Sequence, residues 1–353
     1  MSAGAEIIPW LRERFAARGL HMLGIIHPGP VRSYGNMVSW LQAEKHAGMK
    51  YLESHGTIRA DASRLAPGAR SVISFALPYP GRERHLPAGQ PPRPRIARYA
   101  RMRDYHRTMK RAGAEVLAEL QQRSGLAGSA DRVTVDSAPV MERALAAESA
   151  QGFIGKNTLY IHPTLGSFLL LGEIFTEVPL EPDRPAAIDP RQRNPAGGCG
   201  TCRRCQVHCP TGALGSDWQL DARLCLSYWT IEHRGPIPEK FWPPMAYYYF
   251  GCDICQLVCP WNRGPTRRAG PTDDGPGPDL LDVATMDQAR YEALFGGTPL
   301  TRARITGLKR NALIALAVRR EADLPAALDH GRQSGFPVVR QTVQQILASP
   351  WAP

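Results

Sequence analysis

The sequence predicts a mixed α+β/α/β protein in three parts: an α/β domain over residues 1–185, a ferredoxin-like module over 190–263 and a helical segment over 279–353. Three observations support this division. Helix-like and strand-like stretches alternate over the first half, all eight cysteines fall in one central segment, and helical periodicity returns near the end. The length of 353 residues is sufficient for two or three domains with a sizeable core.

The first domain carries eight patterned segments. Apolar residues spaced three and four apart predict helices, and continuous or β-branched apolar runs predict strands. The predicted helices cover 6–17, 34–46, 104–123 and 141–150. The predicted strands cover 20–26, 71–77 and 132–135. Residues 167–174 are either a buried strand or a short helix.

Two stretches rich in Pro and Gly separate the parts. The first lies around 179–195, and the second, GPTRRAGPTDDGPGP, covers 264–278. Beyond the second linker, apolar periodicity predicts short helices at 308–318, 324–330 and 338–348. Such helices suggest a small helical-hairpin repeat.

Basic residues exceed acidic ones by 43 to 32, a formal net charge of +11. This excess is compatible with a polyanionic partner, either nucleic acid or a membrane surface. Basic residues concentrate between Arg82 and Lys110 and between Arg302 and Arg320. The two patches either follow a phosphate backbone or are ordinary solvated faces.

The chain shows no signal for a membrane. The N-terminus lacks the basic-then-apolar pattern of a signal peptide, and no apolar run approaches the length of a membrane span. We therefore expect a cytoplasmic protein with no membrane partner. In that compartment, cysteine clusters are usually metal or catalytic sites rather than disulfides.

The cysteines form two runs with the spacing of iron–sulfur proteins. The first, C-x2-C-x2-C-x3-C-P from Cys199 to Pro210, is the run found in bacterial ferredoxins. The second, C-x2-C-x3-C-P from Cys252 to Pro260, lacks one cysteine, which Cys225 can supply from a distance. Structural zinc is the alternative, because C-x2-C pairs also bind zinc, but it accounts less well for this spacing.

The spacing predicts two 4Fe–4S clusters with crossed ligation. A tight loop can present three thiolates to one cluster, whereas the thiolate before the proline reaches the other. The ligands predicted for the first cluster are Cys199, Cys202, Cys205 and Cys259. Those predicted for the second cluster are Cys209, Cys225, Cys252 and Cys255.

Several blocks of the sequence resemble the epoxyqueuosine reductase family, cobalamin-dependent iron–sulfur enzymes of tRNA queuosine synthesis. The resemblance extends from about Trp40 to Asn311. The blocks are YLESHGTIRAD, ARYARMRDYH, VDSAPVMERALA, GFIGKNTL, GSFLLLGE, the cysteine set, CLSYWTIEHRGPIPE and LKRNALIAL. The last of them looks like the start of that family's HEAT-like C-terminal helices.

The resemblance implies an oxidoreductase that removes the epoxide oxygen of epoxyqueuosine at the tRNA wobble position. It also implies cobalamin in the N-terminal domain, supplied with electrons by the two clusters. The implied partners are tRNA and an unidentified low-potential electron donor, and we expect a monomer.

Asp136, in VDSAP, matches the proton donor of the family. It follows an apolar strand, where desolvation would raise its pKa toward the protonated form. Without the resemblance, an Asp at this position would be interpreted as a helix N-cap.

The resemblance also assigns residues to the cofactor and to the tRNA. The implied cobalamin contacts are Arg59, Tyr99, Asp136, Arg143, Lys156, Asn157, Tyr160, Ser167, Leu171 and Ser227. The implied tRNA contacts are Tyr228, Lys309 and Arg310. The usual cobalamin loop, D-x-H-x-x-G, is matched only at Asp104 and His106, because Met109 takes the place of the glycine. A base-off mode of cobalamin binding therefore fits better than ligation by histidine.

Two other functions share some of these features. Another corrinoid iron–sulfur reductase, such as a dehalogenase-like enzyme, would have the clusters and cobalamin without the basic C-terminal helices. A plain ferredoxin-type electron carrier would need only the cysteine module, and the long stretch before Cys199 argues against it.

Overall fold

The structure, a computed structural model, describes residues 3–79, 95–149, 151–182, 198–263 and 278–353. Most of both predicted linkers lies outside these ranges, as do Arg82, Arg84 and Arg93 of the first basic patch.

The described ranges contain eight strands and twelve α-helices. The strands are β1 (His21–Ile26), β2 (Ser71–Pro78), β3 (Arg95–Ile96), β4 (Arg132–Thr134), β5 (Phe153–Ile154), β6 (Tyr160–Ile161), β7 (Leu169–Thr176) and β8 (Tyr248–Phe250). The helices are α1 (Ala3–Ala16), α2 (Tyr34–Gln42), α3 (Gly56–Ala60), α4 (Tyr105–Ser124), α5 (Glu142–Glu148), α6 (Arg204–Val207), α7 (Ile254–Leu257), α8 (Leu280–Thr285), α9 (Gln288–Phe295), α10 (Arg304–Arg319), α11 (Leu324–Arg332) and α12 (Pro337–Leu347). A π-helical turn covers Tyr228–Glu232. Short 3₁₀ turns lie at Lys50–Leu52, Ala62–Arg64, Arg98–Arg101, Glu239–Phe241, Pro243–Ala246, Pro260–Asn262 and Pro299–Ala303.

A four-stranded sheet with the order β1-β2-β7-β4 forms the centre of the N-terminal part, and all of its pairings are antiparallel. The predicted mixture of helices and strands is confirmed. The α/β assignment of this domain needs correction, because that class implies a parallel sheet and this sheet gives an α+β arrangement. The ambiguous segment 167–174 is the strand β7.

Both faces of the sheet are covered, which explains why β2 and β7 are continuous apolar runs. On one face, Leu11 and Phe15 of α1 and Val116 of α4 pack around Phe75. The other face packs against α5, with Phe175 in the same cluster. The predicted helix at 104–123 is confirmed as α4. It begins at the N-cap Asp104 and ends at Gly125, whose left-handed backbone suits glycine.

One polar row crosses this otherwise apolar sheet. Glu173 of β7 lies opposite both Ser74 of β2 and Thr134 of β4. All three side chains are buried. Thr134, at one end of this row, lies two residues before Asp136 along the chain.

The central and C-terminal parts share one hydrophobic core. Side chains from the segment between the cysteine runs, such as Trp242 and Tyr249, belong to the same buried cluster as Leu308, Leu313 and Val343 of the C-terminal helices. This core crosses the boundary predicted between residues 263 and 279. None of the helices in the described ranges is long and apolar enough to cross a membrane.

Candidate functional site

Thiols from both cysteine runs meet at one cavity. Cys199, Cys202 and Cys205 of the first run line it together with Cys259 of the second. The β5–β6 hairpin closes another side through Lys156 and Asn157, and the backbone N–H of Lys156 donates to the Sγ of Cys199 at 3.4 Å. These four cysteines are the set predicted for the first cluster.

The remaining four thiols form a second group. Charge on Cys225 and Cys209 affects the pKa of Cys252, and charge on Cys252 and Cys225 affects that of Cys255, so these side chains lie near one another. The helices α6 and α7, which carry one cysteine of each run, pack together. This grouping is compatible with the crossed ligation expected from spacing, and the assignment of each thiol to a cluster stays a prediction.

Burial raises the pKa of the Cys205 thiol to about 11 and the pKa values of the Cys252 and Cys259 thiols to about 12. A cation must therefore compensate the charge before these groups serve as thiolates. Within the described ranges, no three His, Cys, Asp or Glu side chains converge as ligands of a single ion. A 4Fe–4S cluster has a different requirement, because each of its irons takes one thiolate, and the all-cysteine donor set fits it.

Gly251 allows the second run to approach β3. Its φ of +67° is in the left-handed region, and a Cβ atom there would lie 2.5 Å from the Cβ of Ala97. Only glycine satisfies both conditions without strain. The residue that precedes Cys252 is thereby fixed by sterics.

Asp136 lies at a sharp corner between β4 and α5. Its φ of +55° is unusual for a residue other than glycine. Its carboxylate accepts hydrogen bonds at Oδ2 from the hydroxyl of Tyr105 at 3.0 Å and from Nε2 of His106 at 3.1 Å. The side chain is 60% exposed. The expected desolvation of Asp136 is therefore corrected: this carboxyl group faces solvent.

Two further acids, the partly buried Glu142 and the fully buried Glu173, lie behind Asp136, and nothing in the amino-acid pattern indicates their positions. Glu142 accepts a hydrogen bond from the backbone N–H of Asp136. Burial, with the added charge of Asp136, raises the pKa of Glu142 to about 8. Burial and the charge of Glu142 also raise the pKa of Glu173 well above its usual value, and Thr134 donates to Glu173 at 3.2 Å.

Two predicted cobalamin contacts, Tyr160 and Leu171, lie together. Both belong to a small apolar cluster with Leu23 and Ala146. The hydroxyl of Tyr160 is buried and has no hydrogen-bond partner within the described residues. This place therefore fits a ligand that offers a polar group beside apolar surface.

Three other predicted cobalamin contacts flank the corner of Asp136. Arg143 is exposed and donates to the carbonyl of Thr158. Tyr99 is partly buried, and the charge of Asp136 contributes, after burial, to raising its pKa. Burial lowers the pKa of Arg59, on which the charge of Glu142 also acts.

The remaining predicted cobalamin contacts lie beside the cysteines. Lys156 is buried, forms an ion pair with Asp217 at 3.1 Å and lies over the ring of Trp218. Ser167 donates to Gln256 at 3.1 Å, next to the second run. Asn157 lines the first cysteine cavity, and Ser227 follows Cys225 by two residues and counteracts the rise in pKa that burial gives the Cys225 thiol. Their contacts in this structure are with the iron–sulfur module, and their roles toward cobalamin stay predictions.

The structure contradicts the predicted phosphate contacts of Lys309 and Arg310. Both side chains are buried. The ammonium group of Lys309 donates to the carbonyl of Met286 at 2.7 Å. The guanidinium group of Arg310 donates to the carbonyls of Trp229, His233 and Gly235. Neither cation is available to a phosphate. Tyr228 is partly buried, and its hydroxyl accepts from the N–H of Gly48 at 3.1 Å.

An exposed aromatic and basic group, absent from the sequence-based assignments, lies near Asp136. Tyr51 is 48% exposed. The guanidinium of Arg302 lies 5.3 Å from its ring centroid and forms a two-pronged ion pair with Glu232. Burial raises the pKa of Tyr51, and the charges of Glu232 and Asp136 add to the shift, so Tyr51 lies within electrostatic range of Asp136.

The comparisons with known proteins agree with this arrangement. A family model described as a 4Fe–4S double cluster binding domain matches residues 198–262, and one described as epoxyqueuosine reductase QueG matches residues 59–137. The chain is 38% identical to the epoxyqueuosine reductase of Xanthomonas campestris pv. campestris, over 88% of this chain and 86% of the relative. It is 35% identical to that of Pseudomonas aeruginosa, over 97% and 93%.

Solved structures of the same kind superpose over nearly the whole chain. An epoxyqueuosine reductase crystallised with a tRNA-Tyr stem loop modified with epoxyqueuosine matches with a TM-score of 0.83 at 26% identity, covering 96% of this chain and 88% of that one. The Streptococcus thermophilus enzyme matches with a TM-score of 0.84 at 26% identity, covering 98% and 91%. On the strength of these matches, the chain belongs to the epoxyqueuosine reductase family.

Proposed function

We propose that this protein reduces epoxyqueuosine in tRNA to queuosine, using two 4Fe–4S clusters and cobalamin. The observation that carries the proposal is the meeting of Cys199, Cys202 and Cys205 with Cys259 around one cavity. The reaction breaks both carbon–oxygen bonds of the epoxide, forms a carbon–carbon double bond and releases the oxygen as water. It consumes two electrons and two protons.

The eight cysteines would hold the clusters in the crossed sets predicted above. Such clusters accept and pass single electrons at low potential. The backbone N–H of Lys156, which points at the Sγ of Cys199, would stabilise thiolate charge in the first set. Reducing equivalents would come from a low-potential donor.

Cobalamin would lie against the surface between Tyr160, Leu171 and the corner of Asp136. When bound, it supplies a strongly reducing, nucleophilic cobalt centre. The unpartnered hydroxyl of Tyr160 would donate to one of its amide groups. Arg59, Tyr99 and Arg143 would contact it from the side of the corner, and Ser227 would lie between it and Cys225.

Asp136 would give the proton that the departing oxygen needs. The two hydrogen bonds orient the Asp136 side chain in its fixed corner, and a carboxyl group positioned in this way would act as a general acid, which contributes about 10²–10⁴-fold to rate. Glu142 would fix the backbone of the corner through the N–H of Asp136.

The tRNA would meet the exposed group near this corner. The half-exposed ring of Tyr51 suits stacking on an unpaired anticodon base. Arg302 and the exposed Arg304 would contact phosphates. A contact of Tyr228 with RNA would use its ring, since its hydroxyl is already bonded. We further propose that the protein acts as a monomer in the cytoplasm.

The test is conversion of epoxyqueuosine to queuosine in purified tRNA by the anaerobically prepared protein, followed by mass spectrometry of the nucleosides. We expect conversion by the native protein and a loss of at least about 100-fold in Asp136→Asn with cluster and corrin absorbance retained. A protein that binds a corrin without binding tRNA would instead support the dehalogenase-like function. A protein that binds no corrin would support a plain electron carrier.

A further inference from the structure

The segment Asp104–His106, at the start of α4, forms a hydrogen-bonded chain that ends on Asp136. The carboxylate of Asp104 lies 2.7 Å from Nδ1 of His106, and Nε2 of His106 lies 3.1 Å from Oδ2 of Asp136. Both ring nitrogens therefore have carboxylate partners. One imidazole links the carboxyl group assigned to proton donation with a second carboxylate.

The surrounding structure holds this imidazole in one orientation. Asp104 caps α4 by accepting from the backbone N–H of His106, and its own N–H donates to the carbonyl of Gly297 at 2.8 Å. The ring of Tyr105 stacks on the ring of His106 at 4.2 Å between centroids. The hydroxyl of Tyr105 donates to the same Oδ2 atom of Asp136. The positions of the side chains are thus fixed both at Asp104 and at Asp136.

The stoichiometry of the reaction suggests a role for these hydrogen-bonded side chains. Release of the epoxide oxygen as water takes two protons, but a single carboxyl group carries one. A substrate lying over Asp136 also excludes bulk water from that carboxylate. A group behind Asp136 that exchanges protons near neutral pH would supply the second proton, and imidazole is the side chain suited to this.

We propose that His106 recharges Asp136 with a proton and that Asp104 holds the ring for this transfer. The inference rests on the proposed function, because it takes Asp136 as the donor. In the transfer, the Nε2–H bond of the imidazolium breaks and an O–H bond forms at Oδ2 of Asp136. The neutral ring then regains a proton from water, to which the 32% exposed side chain has access.

Other titratable groups lie nearby. Asp104, Tyr105 and Asp136 contact the ring directly. The next shell contains Lys110, which donates to Ser137 beside Asp136, and Glu142 on the backbone of Asp136. His106 would act through Asp136 and is therefore a positioning and proton-transfer residue.

The test compares His106→Gln with the native protein, loaded with clusters and cobalamin, in the tRNA conversion assay. Gln keeps an N–H donor but carries no exchangeable charge. We expect kcat to fall about 10- to 100-fold with KM for tRNA unchanged, the pH dependence of kcat to flatten near neutrality, and added imidazole to restore part of the rate. The matched control, His27→Gln, replaces an exposed histidine whose Nδ1 lies 3.3 Å from the carbonyl oxygen of Arg70, and it should keep the native rate and pH profile.

Three results would overturn the inference. One is a His106→Gln variant with kcat within about twofold of native and an unchanged pH profile, which would mean that water recharges Asp136. Another is a loss that imidazole does not restore. The third is a loss accompanied by weaker tRNA binding or lower cluster absorbance, which would indicate a structural role. Asp136→Asn is measured in parallel: full activity there would remove Asp136 as the proton donor and the inference with it, whereas absence of conversion by the native protein would refute the proposed function itself, independently of His106.

Discussion

Arg310 provides a sharp test of how the C-terminal helices are joined to the iron–sulfur module. From sequence, it is a basic residue at the start of a helix block and a plausible phosphate ligand. In the structure its guanidinium group is buried and donates hydrogen bonds to three carbonyl oxygens about eighty residues earlier in the chain. These belong to Trp229, His233 and Gly235, at 2.9, 2.8 and 2.6 Å. Burial lowers the pKa of Arg310 to about 9, which still leaves it charged at neutral pH.

Arg310→Ala would leave these three carbonyls and the Oδ1 of Asn311 without their donor. Each unsatisfied buried acceptor costs about 1–3 kcal/mol, and water entering the space left by the side chain recovers part of this. We therefore expect a loss of about 3–5 kcal/mol, in the range measured for breaking buried polar pairs. At about 2–4 °C per kcal/mol, Tm should fall by roughly 6–20 °C.

The assay is thermal unfolding followed by circular dichroism, with filter binding of tRNA measured well below Tm. Arg332→Ala is the matched control, because that guanidinium is 53% exposed in a surface pair with Asp329 and should change stability by less than about 1 kcal/mol. An Arg310→Ala protein with native Tm and tRNA binding weakened about tenfold would refute the reasoning and restore the phosphate contact.

Three further predictions concern Glu142 behind Asp136, Gly251 before the second cysteine run and the exposed ring of Tyr51. Burial raises the pKa of Glu142 to about 8 in the folded protein, so its contribution to stability is present below the unfolded pKa near 4.5 and is lost as pH rises to about 8. In urea titrations at several pH values, Glu142→Gln should therefore reduce the fall in unfolding free energy over this range by up to about 1.4 kcal/mol per pH unit. An unchanged pH dependence in the variant would contradict the burial of the Glu142 carboxylate. Gly251→Ala should destabilise the protein by about 1–3 kcal/mol and reduce bound iron, whereas Gly335→Ala, with no atom within 4 Å, should do neither. Tyr51→Ala should weaken tRNA binding by about 1–3 kcal/mol and Tyr51→Phe should not, and equal affinities would remove the stacking contact.

The cysteine arrangement could be predicted because its information is local. The x2 and x3 spacings fix which thiols share a loop, and the two prolines mark where each run turns away. Only the long-range partner, Cys225, had to be found by counting. Both ends of α4 could be predicted for the same reason, because the signals lie beside the helix in the sequence: Asp104 is its N-cap and Gly125 is its C-cap.

The fates of Lys309 and Arg310 could not be predicted in the same way. Two adjacent basic residues on a helix give the same sequence pattern whether their side chains face water or the protein interior. The deciding groups are backbone carbonyls contributed by Met286 and by the segment Trp229–Gly235, and their approach depends on tertiary packing. Tertiary context therefore reversed an interpretation based on charge alone.

The acidic residues behind Asp136 were missed for a related reason. Glu173 stands alone in an apolar strand, and a solitary polar residue in such a run gives no hint of its neighbours. It meets Ser74 and Thr134 only because β2, β7 and β4 lie side by side in antiparallel register. The periodicity of a strand does not show which other strands lie beside it. Neither the antiparallel sheet nor this polar row could therefore be predicted from the sequence.

The most direct measurement is iron and acid-labile sulfide analysis of protein purified without oxygen, combined with Mössbauer spectroscopy. Two clusters held by the eight cysteines should give about eight irons and eight sulfides per chain, all in 4Fe–4S form, and Cys259→Ser should disturb the cluster of Cys199 rather than that of Cys252. Stoichiometric zinc in place of iron, or damage confined to the cluster of Cys252, would contradict the account.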